Sequence, residues 1–159
     1  MKTMLIAWLL FESAALGQEA PVYRLSFAIH EMDHGKSTGA RTYTMLVSPQ
    51  ANAKLNVGTK LPVPAGSTNN GQYTYVDVGV SLRAKVQERG PQLLLTAEVE
   101  VSNLGAERED AGRPAPRIQQ LRADIDTAIP LGHAVAVVEL DDPASPKHYE
   151  IEVTATKVK

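Results

Sequence analysis

The chain has 159 residues, no cysteine, and 16 basic against 18 acidic side chains, for a formal net charge of −2. Its acids and bases are interspersed, which leaves no basic footprint for nucleic acid and no polybasic patch for a membrane surface. A chain of this length holds one domain with a core that needs neither metal nor disulfide, and without cysteine it carries no thiol-linked lipid.

The first residues run Met1-Lys2, then an apolar stretch from Met4 to Leu10, then FESAALG. A basic start, a short apolar middle and a small-residue end predict a secretory signal peptide over residues 1–17, with Gln18 as the mature terminus. Glu12 interrupts the apolar run, which falls far short of the roughly 20 residues that span a bilayer. The product is therefore expected to be exported, free in the periplasm or outside the cell. Trp8 and Phe11 lie in the leader, so any aromatic platform on the mature domain must use its tyrosines and Phe27.

From Val22 onward apolar residues recur with period two, the pattern of strands with one buried face. Tyr23, Leu25, Phe27 and Ile29 alternate with Arg24, Ser26, Ala28 and His30, and a second strand is expected over Arg41 to Val47. Between them DHGKSTG, Asp33 to Gly39, reads as an exposed polar loop of a long hairpin. Lys54 to Val63 forms a shorter strand, followed by the loop AGSTNNG. Gln72 to Val86 puts Thr74, Val76, Val78, Val80 and Leu82 on one face, with Tyr73, Tyr75, Asp77, Gly79 and Ser81 on the other. Arg89-Gly90-Pro91 turns that strand into Leu93, Leu95, Ala97, Val99 and Val101.

Residues 103–117 are polar and rich in Gly and Pro, and read as a mobile loop. Alternation resumes at Leu121, Ala123, Ile125, Thr127 and Ile129. Ala134 to Leu140 is nearly all apolar and is expected to be buried on both faces. His148 to Val158 closes the chain with Tyr149, Ile151, Val153 and Ala155 inward. Seven or eight strands without crossover helices predict an all-β fold, an antiparallel β-sandwich over residues 18–159, with no repeat and no second domain.

HEMDH, His30 to His34, matches the zinc-peptidase pattern H-E-x-x-H. A zincin needs that pattern on a helix, where positions i and i+4 bring two imidazoles to one metal. On a strand, residues four apart stand about 13 Å from each other, whereas both nitrogens must lie near 2 Å from zinc. His133 and His148 have no spacing that marks either as a third ligand. The sequence therefore predicts no metal site: His30 is an outward strand residue, and Asp33, His34 and Gly35 begin the loop.

Carboxylates pair at Glu98 and Glu100, Asp124 and Asp126, Asp141 and Asp142, and Glu150 and Glu152. Same-face pairs about 6.6 Å apart would suit glycoside hydrolysis by distance alone. These alternate with core residues as a solvated sheet face does, where Arg122 and neighbouring lysines can pair with them. No nucleophile elbow, phosphate loop or dinucleotide fingerprint occurs, so neither catalytic residues nor a cofactor are predicted. Tyr73 and Tyr75 beside Asp77 offer a ligand platform, although such tyrosines usually serve as strand formers or partly buried packing.

Five stretches carry a family resemblance. VGTKLPVP has a glycine ahead of Leu-Pro; YTYVDVGVSLRAKV has aromatic-x-Asp-x-Gly-x-x-Leu; LLLTAEVEVSNL ends in Glu-x-Ser. PRIQQLRADIDTAIPLGHAVAVVEL has Pro-x-Ile, Arg and Thr before a glycine turn and an apolar strand, and HYEIEVTATKV is a closing strand. In kind and order these resemble the C-terminal β-domain of bacterial secretins, the outer-membrane channels of type II and type III secretion and type IV pilus systems. The likeness covers about two-thirds of the chain. It also looks similar to small uncharacterised exported proteins of soil bacteria such as acidobacteria, for which no activity is implied.

Departures bear on function. In secretins the apolar strand runs into a paired glycine and repeated Pro-x-Leu-Gly units, whereas here Glu139-Leu140 leads to Asp141-Asp142-Pro143 and directly to Lys147. The membrane-lip hairpin and the N-domains of the family have no counterpart, so pore formation is not carried over. The resulting expectation is an exported, non-enzymatic binding or assembly module of the bacterial cell envelope with a protein or envelope partner. The alternative is a secretin-like subunit or accessory component of a secretion or pilus complex, forming homo-oligomers through edge strands. A hydrolase built around HEMDH is the third reading.

Overall fold

The computed structural model describes residues 20–64, 73–105, 108–110, 113–115, 117–143 and 145–158. The expected signal peptide and the AGSTNNG segment lie outside them. Ten strands run in chain order: β1 (Val22–Asp33), β2 (Lys36–Val47), β3 (Ala53–Pro64), β4 (Tyr73–Arg89), β5 (Gln92–Leu104), β6 (Arg108–Asp110), β7 (Arg113–Ala115), β8 (Ile118–Pro130), β9 (Ala134–Asp141) and β10 (Lys147–Val158).

They form two four-stranded sheets, β2-β1-β10-β9 and β3-β4-β5-β8, plus the two-stranded ribbon β6-β7. Every pairing between them is antiparallel. The period-two alternation turns one side of each sheet inward, and the two inner faces meet as a sandwich. Tyr23, Leu25, Phe27 and Ile29 of β1 and Tyr149, Ile151, Val153 and Ala155 of β10 are buried on one side. Leu82 and Val86 of β4, Leu93, Leu95 and Val99 of β5, and Ile125 and Ile129 of β8 are buried on the other. Burying each large apolar side chain contributes about 1.5–3 kcal/mol, which makes this layer the main stabilising feature.

The two ends of the sandwich differ. One is closed by short connections: Gly90 at φ 60 begins the β4–β5 turn, Gln50 N–H donates to Val86 O at 2.9 Å, and Gly132 N–H donates to Ala155 O at 2.8 Å. There the buried Tyr23 hydroxyl donates to Glu88 of the opposite sheet. The other end gathers the β1–β2 and β9–β10 hairpins, the β5–β8 connection with its ribbon, and the far half of the β3–β4 pair.

Three expectations are corrected. Asp33 to Gly39 is not a loop, because β1 continues to Asp33 and β2 begins at Lys36. A two-residue turn suffices, with His34 at φ 48 and Gly35 at φ 75, the two positive values that a tight hairpin requires. The segment read as loop is an exposed edge strand, and a bulge between Glu31 and Met32 leaves Thr38 outside the register, its hydroxyl donating to Glu31 O at 3.1 Å. Within 103–117, β5 runs on to Leu104, and β6 pairs with β7. Finally, Ala134 to Leu140 is not buried on both faces but is an edge strand. A bulge between Ile151 and Glu152 leaves Val137 outside the register, and the neighbouring Val137 and Val138 both pack against the core with Leu140, which yields an unbroken apolar run.

Candidate functional site

HEMDH is taken apart by its strand. His30 points to the outer face of its sheet, where Nε2 lies 3.3 Å from Glu152 Oε2. Glu31 is on the inward side and is ion-paired with Lys147 of β10. His34 sits in the turn with Nδ1 2.6 Å from Asp33 Oδ1. His148 pairs with Asp141 at 2.9 Å, and His133 is exposed between β8 and β9. No three His, Cys, Asp or Glu side chains among the described residues are grouped to hold a metal ion. The strand register separates what a helix would have converged.

The outer face of the β3-β4-β5-β8 sheet is a field of exposed ion pairs. Glu98 receives Arg83 at 2.7 Å and Arg122 at 3.0 Å, and Arg122 also reaches Asp124 at 3.6 Å. An open depression of about 650 Å³ lies over Lys54, Arg83, Lys85, Glu98, Asp124 and Asp126. Its carboxylates stand among cations on a wet face and not in an apolar cleft, so the arrangement offers no desolvated general acid.

Asp142 departs from that picture. It is buried, 5 % exposed, and its carboxylate receives the Gln119 side-chain amide and the Ser145 hydroxyl. Its backbone N–H donates to Lys147 O at 2.8 Å, which closes the β9–β10 turn. Asp142→Ala leaves these half-buried donors without this acceptor and is expected to cost about 1–3 kcal/mol in urea unfolding. Asp142→Asn, which keeps an acceptor oxygen, is expected to recover more than half of the loss; equal losses for both would contradict this role.

Three residues from separate secretin-like stretches meet at one point. Gly58 and Gly79 are cross-strand partners in β3 and β4, and Ser102 of β5 stands beside them. A Cβ on Gly79 would lie 2.1 Å from Val57 O, and one on Gly58 2.4 Å from Val78 O, so the backbones approach as only glycine permits. Pairing of β4 with β5 stops at Val80↔Val101. There the Ser102 hydroxyl takes over, accepting from Gly79 N–H at 2.9 Å and facing the Gly79 carbonyl at 3.2 Å. Beyond this kink, among the described residues, β3 and β4 pair only with each other, as a two-stranded ribbon.

The ribbon exposes Tyr73 (59 %) and Tyr75 (65 %), with Lys60 and Asp77 paired at 3.6 Å. Tyr75 stands opposite Pro62. Both are strand residues of β4, one of the two roles expected for them, and only the other, partly buried packing, is corrected. They lie on the outward face of β4, in parity with Ser81 and Arg83 and opposite to the buried Val80 and Leu82.

Between the sheets at this same end, the inward positions change from apolar to polar. Past Ile29, β1 turns Glu31 inward; β2 contributes Arg41, β10 contributes Lys147 and Tyr149, and β5 contributes Asn103. A cavity of about 90 Å³ opens here, floored by Ile29, Val80 and Val101. The hydrogen bond to Glu31 raises the Lys147 pKa above its usual value. Burial, then the Glu31 charge, raises that of Tyr149.

Tyr23, at the closed end, is pushed up to about 12 by burial first and by its Glu88 bond second. In all three groups the folded state holds its proton more tightly than the unfolded chain does. Their contribution is complete below the unfolded tyrosine pKa of about 10 and is lost as pH rises toward the folded values. The urea midpoint is expected to fall between about pH 10 and 12, and Tyr23→Phe should flatten that fall. A midpoint that stays level across the window would contradict this assignment.

Set beside solved structures, the chain has the fold of a secretin β-domain. It is similar to a chain of the Klebsiella pneumoniae type II secretion outer membrane complex of PulD, PulS and the PulC HR domain, with TM-score 0.62 and 12 % identity over 91 % of this chain and 41 % of that one. The Salmonella SPI-1 type III injectisome secretin InvG gives TM-score 0.61 and 10 % identity over 91 % and 67 %. The Vibrio cholerae type IV competence pilus secretin PilQ gives 0.57 and 11 % over 87 % and 57 %. The chain thus spans less than half of the Klebsiella chain. No protein-family model and no curated protein sequence matches it.

Proposed function

We propose that the chain is an exported, non-enzymatic β-sandwich that works through its surface as a binding or assembly module of the bacterial cell envelope. In this reading residues 1–17 are a signal peptide and residues 18–159 are the mature domain, in the periplasm or outside the cell. The fold carries the proposal: 91 % of the chain superposes on domains from secretion complexes at TM-scores above 0.6. The separation of the HEMDH side chains, and the pairing of Glu98 with Arg83 and Arg122 on an open face, are in keeping with it.

A second reading, a secretin-like subunit or accessory component of a secretion or pilus complex, draws on the sheet edges. Among the described residues β2, β9, β3 and β8 each pair on one side only, which leaves backbone donors and acceptors open to another copy. Fractionation of the producing cells, followed by pull-down from envelope extract, tests both. An exported protein that recovers an envelope protein supports the first reading, and heat-resistant multimers in the outer-membrane fraction support the second. A monomer without partners, or chelator-sensitive peptidase activity, would contradict both.

A further inference from the structure

The mouth of the sandwich holds donors that the fold leaves unused. Tyr149 is 4 % exposed and borders the cavity, yet among the described residues its hydroxyl has no hydrogen-bond partner. The same holds for the Arg41 guanidinium and the Asn103 side-chain amide, which line the same space. No buried side-chain oxygen or nitrogen among these residues is both enclosed and unpartnered, so the Tyr149 oxygen opens onto the cavity. The acid on the rim, Glu31, is already neutralised by Lys147. A half-enclosed set of donors with its acid occupied favours an anionic acceptor. Arginine matches a carboxylate best, through two parallel charge-assisted bonds.

Below these groups the lining becomes apolar. Ile29, Val80 and Val101 form the floor. A further void of about 10 Å³, bordered by Val99, Leu121, Leu140 and Ile151, shares Ile29, Val101 and Tyr149 with the cavity. The cavity, about 90 Å³, has room for a short acyl tail.

We infer that this mouth is a binding site for a short aliphatic carboxylate, held by Arg41, Tyr149 and Asn103 with its tail on Ile29, Val80 and Val101. The same chemistry is offered by a free short-chain acid and by the C-terminal carboxylate of a peptide ending in a small aliphatic residue. The site is independent of the assembly reading, since it needs only the single folded chain.

Methyl-detected NMR titration of the full chain with butyrate tests it. Saturable shifts at Ile29, Val80 and Val101 are expected in the millimolar range, as suits so small a ligand. Butyramide, which keeps the shape and loses the charge, is expected to bind at least about tenfold more weakly. Arg41→Gln should weaken butyrate by about tenfold and Tyr149→Phe by a few-fold, with the variants' spectra otherwise retained. Asn103→Asp places a like charge at the rim and should abolish binding. A peptide ending in Val, compared with its C-terminal amide, separates the two sources. Tighter binding of the free-acid peptide than of butyrate assigns a chain terminus, and weaker binding assigns a small acid. Absence of saturable shifts, equal affinity for butyrate and butyramide, or unchanged binding in Arg41→Gln would overturn the inference.

Discussion

Phe27→Ala is expected to lower the free energy of unfolding by about 3–5 kcal/mol, the largest loss for any single truncation in this chain. Phe27 is 0 % exposed and lies in the middle of β1, the strand that joins β2 to β10. Its ring is among the largest side chains in the layer between the sheets. Its removal forfeits the transfer energy of the ring and leaves a cavity that two hydrogen-bonded sheets cannot collapse into. Leu46, 57 % exposed on the neighbouring edge strand, makes the contrast: Leu46→Ala should stay within about 0.5 kcal/mol. Urea unfolding followed by far-ultraviolet circular dichroism reads both. Equal losses at the two positions would contradict the assignment of the core.

Gly79→Ala comes next, at about 2–4 kcal/mol. Its φ of +150° is a conformation that side chains other than glycine rarely adopt, and that alone costs about 1–3 kcal/mol. The added Cβ would also lie 2.1 Å from Val57 O and 2.5 Å from Gly58 Cα, both backbone atoms that no rotamer change can move aside. Relief requires β3 and β4 to part at the kink, which breaks the Gly79 bond to Ser102. Amide exchange over 57–64 and 73–79 should therefore rise together with the drop in stability. Gly90 is the control, with φ +60 and nothing within 4 Å of a Cβ, so Gly90→Ala should cost only about 1 kcal/mol. Gly79→Ala with unchanged exchange in the ribbon would show that the close approach is not a constraint.

Most of the fold was legible because alternation is a direct image of a half-buried strand. The buried sets Tyr23 to Ile29, Leu93 to Val101 and Tyr149 to Ala155 were readable residue by residue. Composition misled where it stood in for pairing. DHGKSTG carries the residues of a loop, yet His34 and Gly35 alone make the turn, and the rest pairs as an exposed edge. The run AVAVVEL mimicked a strand buried on both faces because the bulge at Val137 lets adjacent valines both reach the core.

The site was harder to read, for a physical reason. Gly58, Gly79 and Ser102 each stood out within a separate stretch, but only cross-strand register brings them to one kink. Likewise Glu31, Arg41, Asn103, Lys147 and Tyr149 come from four strands and share no spacing; the readable signal was a charged residue in line with inward apolar ones at the end of β1. HEMDH lies on a strand and its turn, not on the helix that the zinc-peptidase pattern needs, and its glutamate turned out to face inward and bind Lys147.

The kink, the ribbon and the polar mouth all lie at one end of the sandwich, and we propose that the ribbon at that end carries the contacts of the assembly module. Site-specific photo-crosslinking in the producing cells tests this claim most directly. A photoreactive side chain at Tyr75 on the ribbon is compared with one at Gln92 beside the β4–β5 turn. The account predicts a discrete higher-mass adduct from Tyr75 in the envelope fraction and none from Gln92. Monomer alone from both positions, or equal adducts from both, would contradict it.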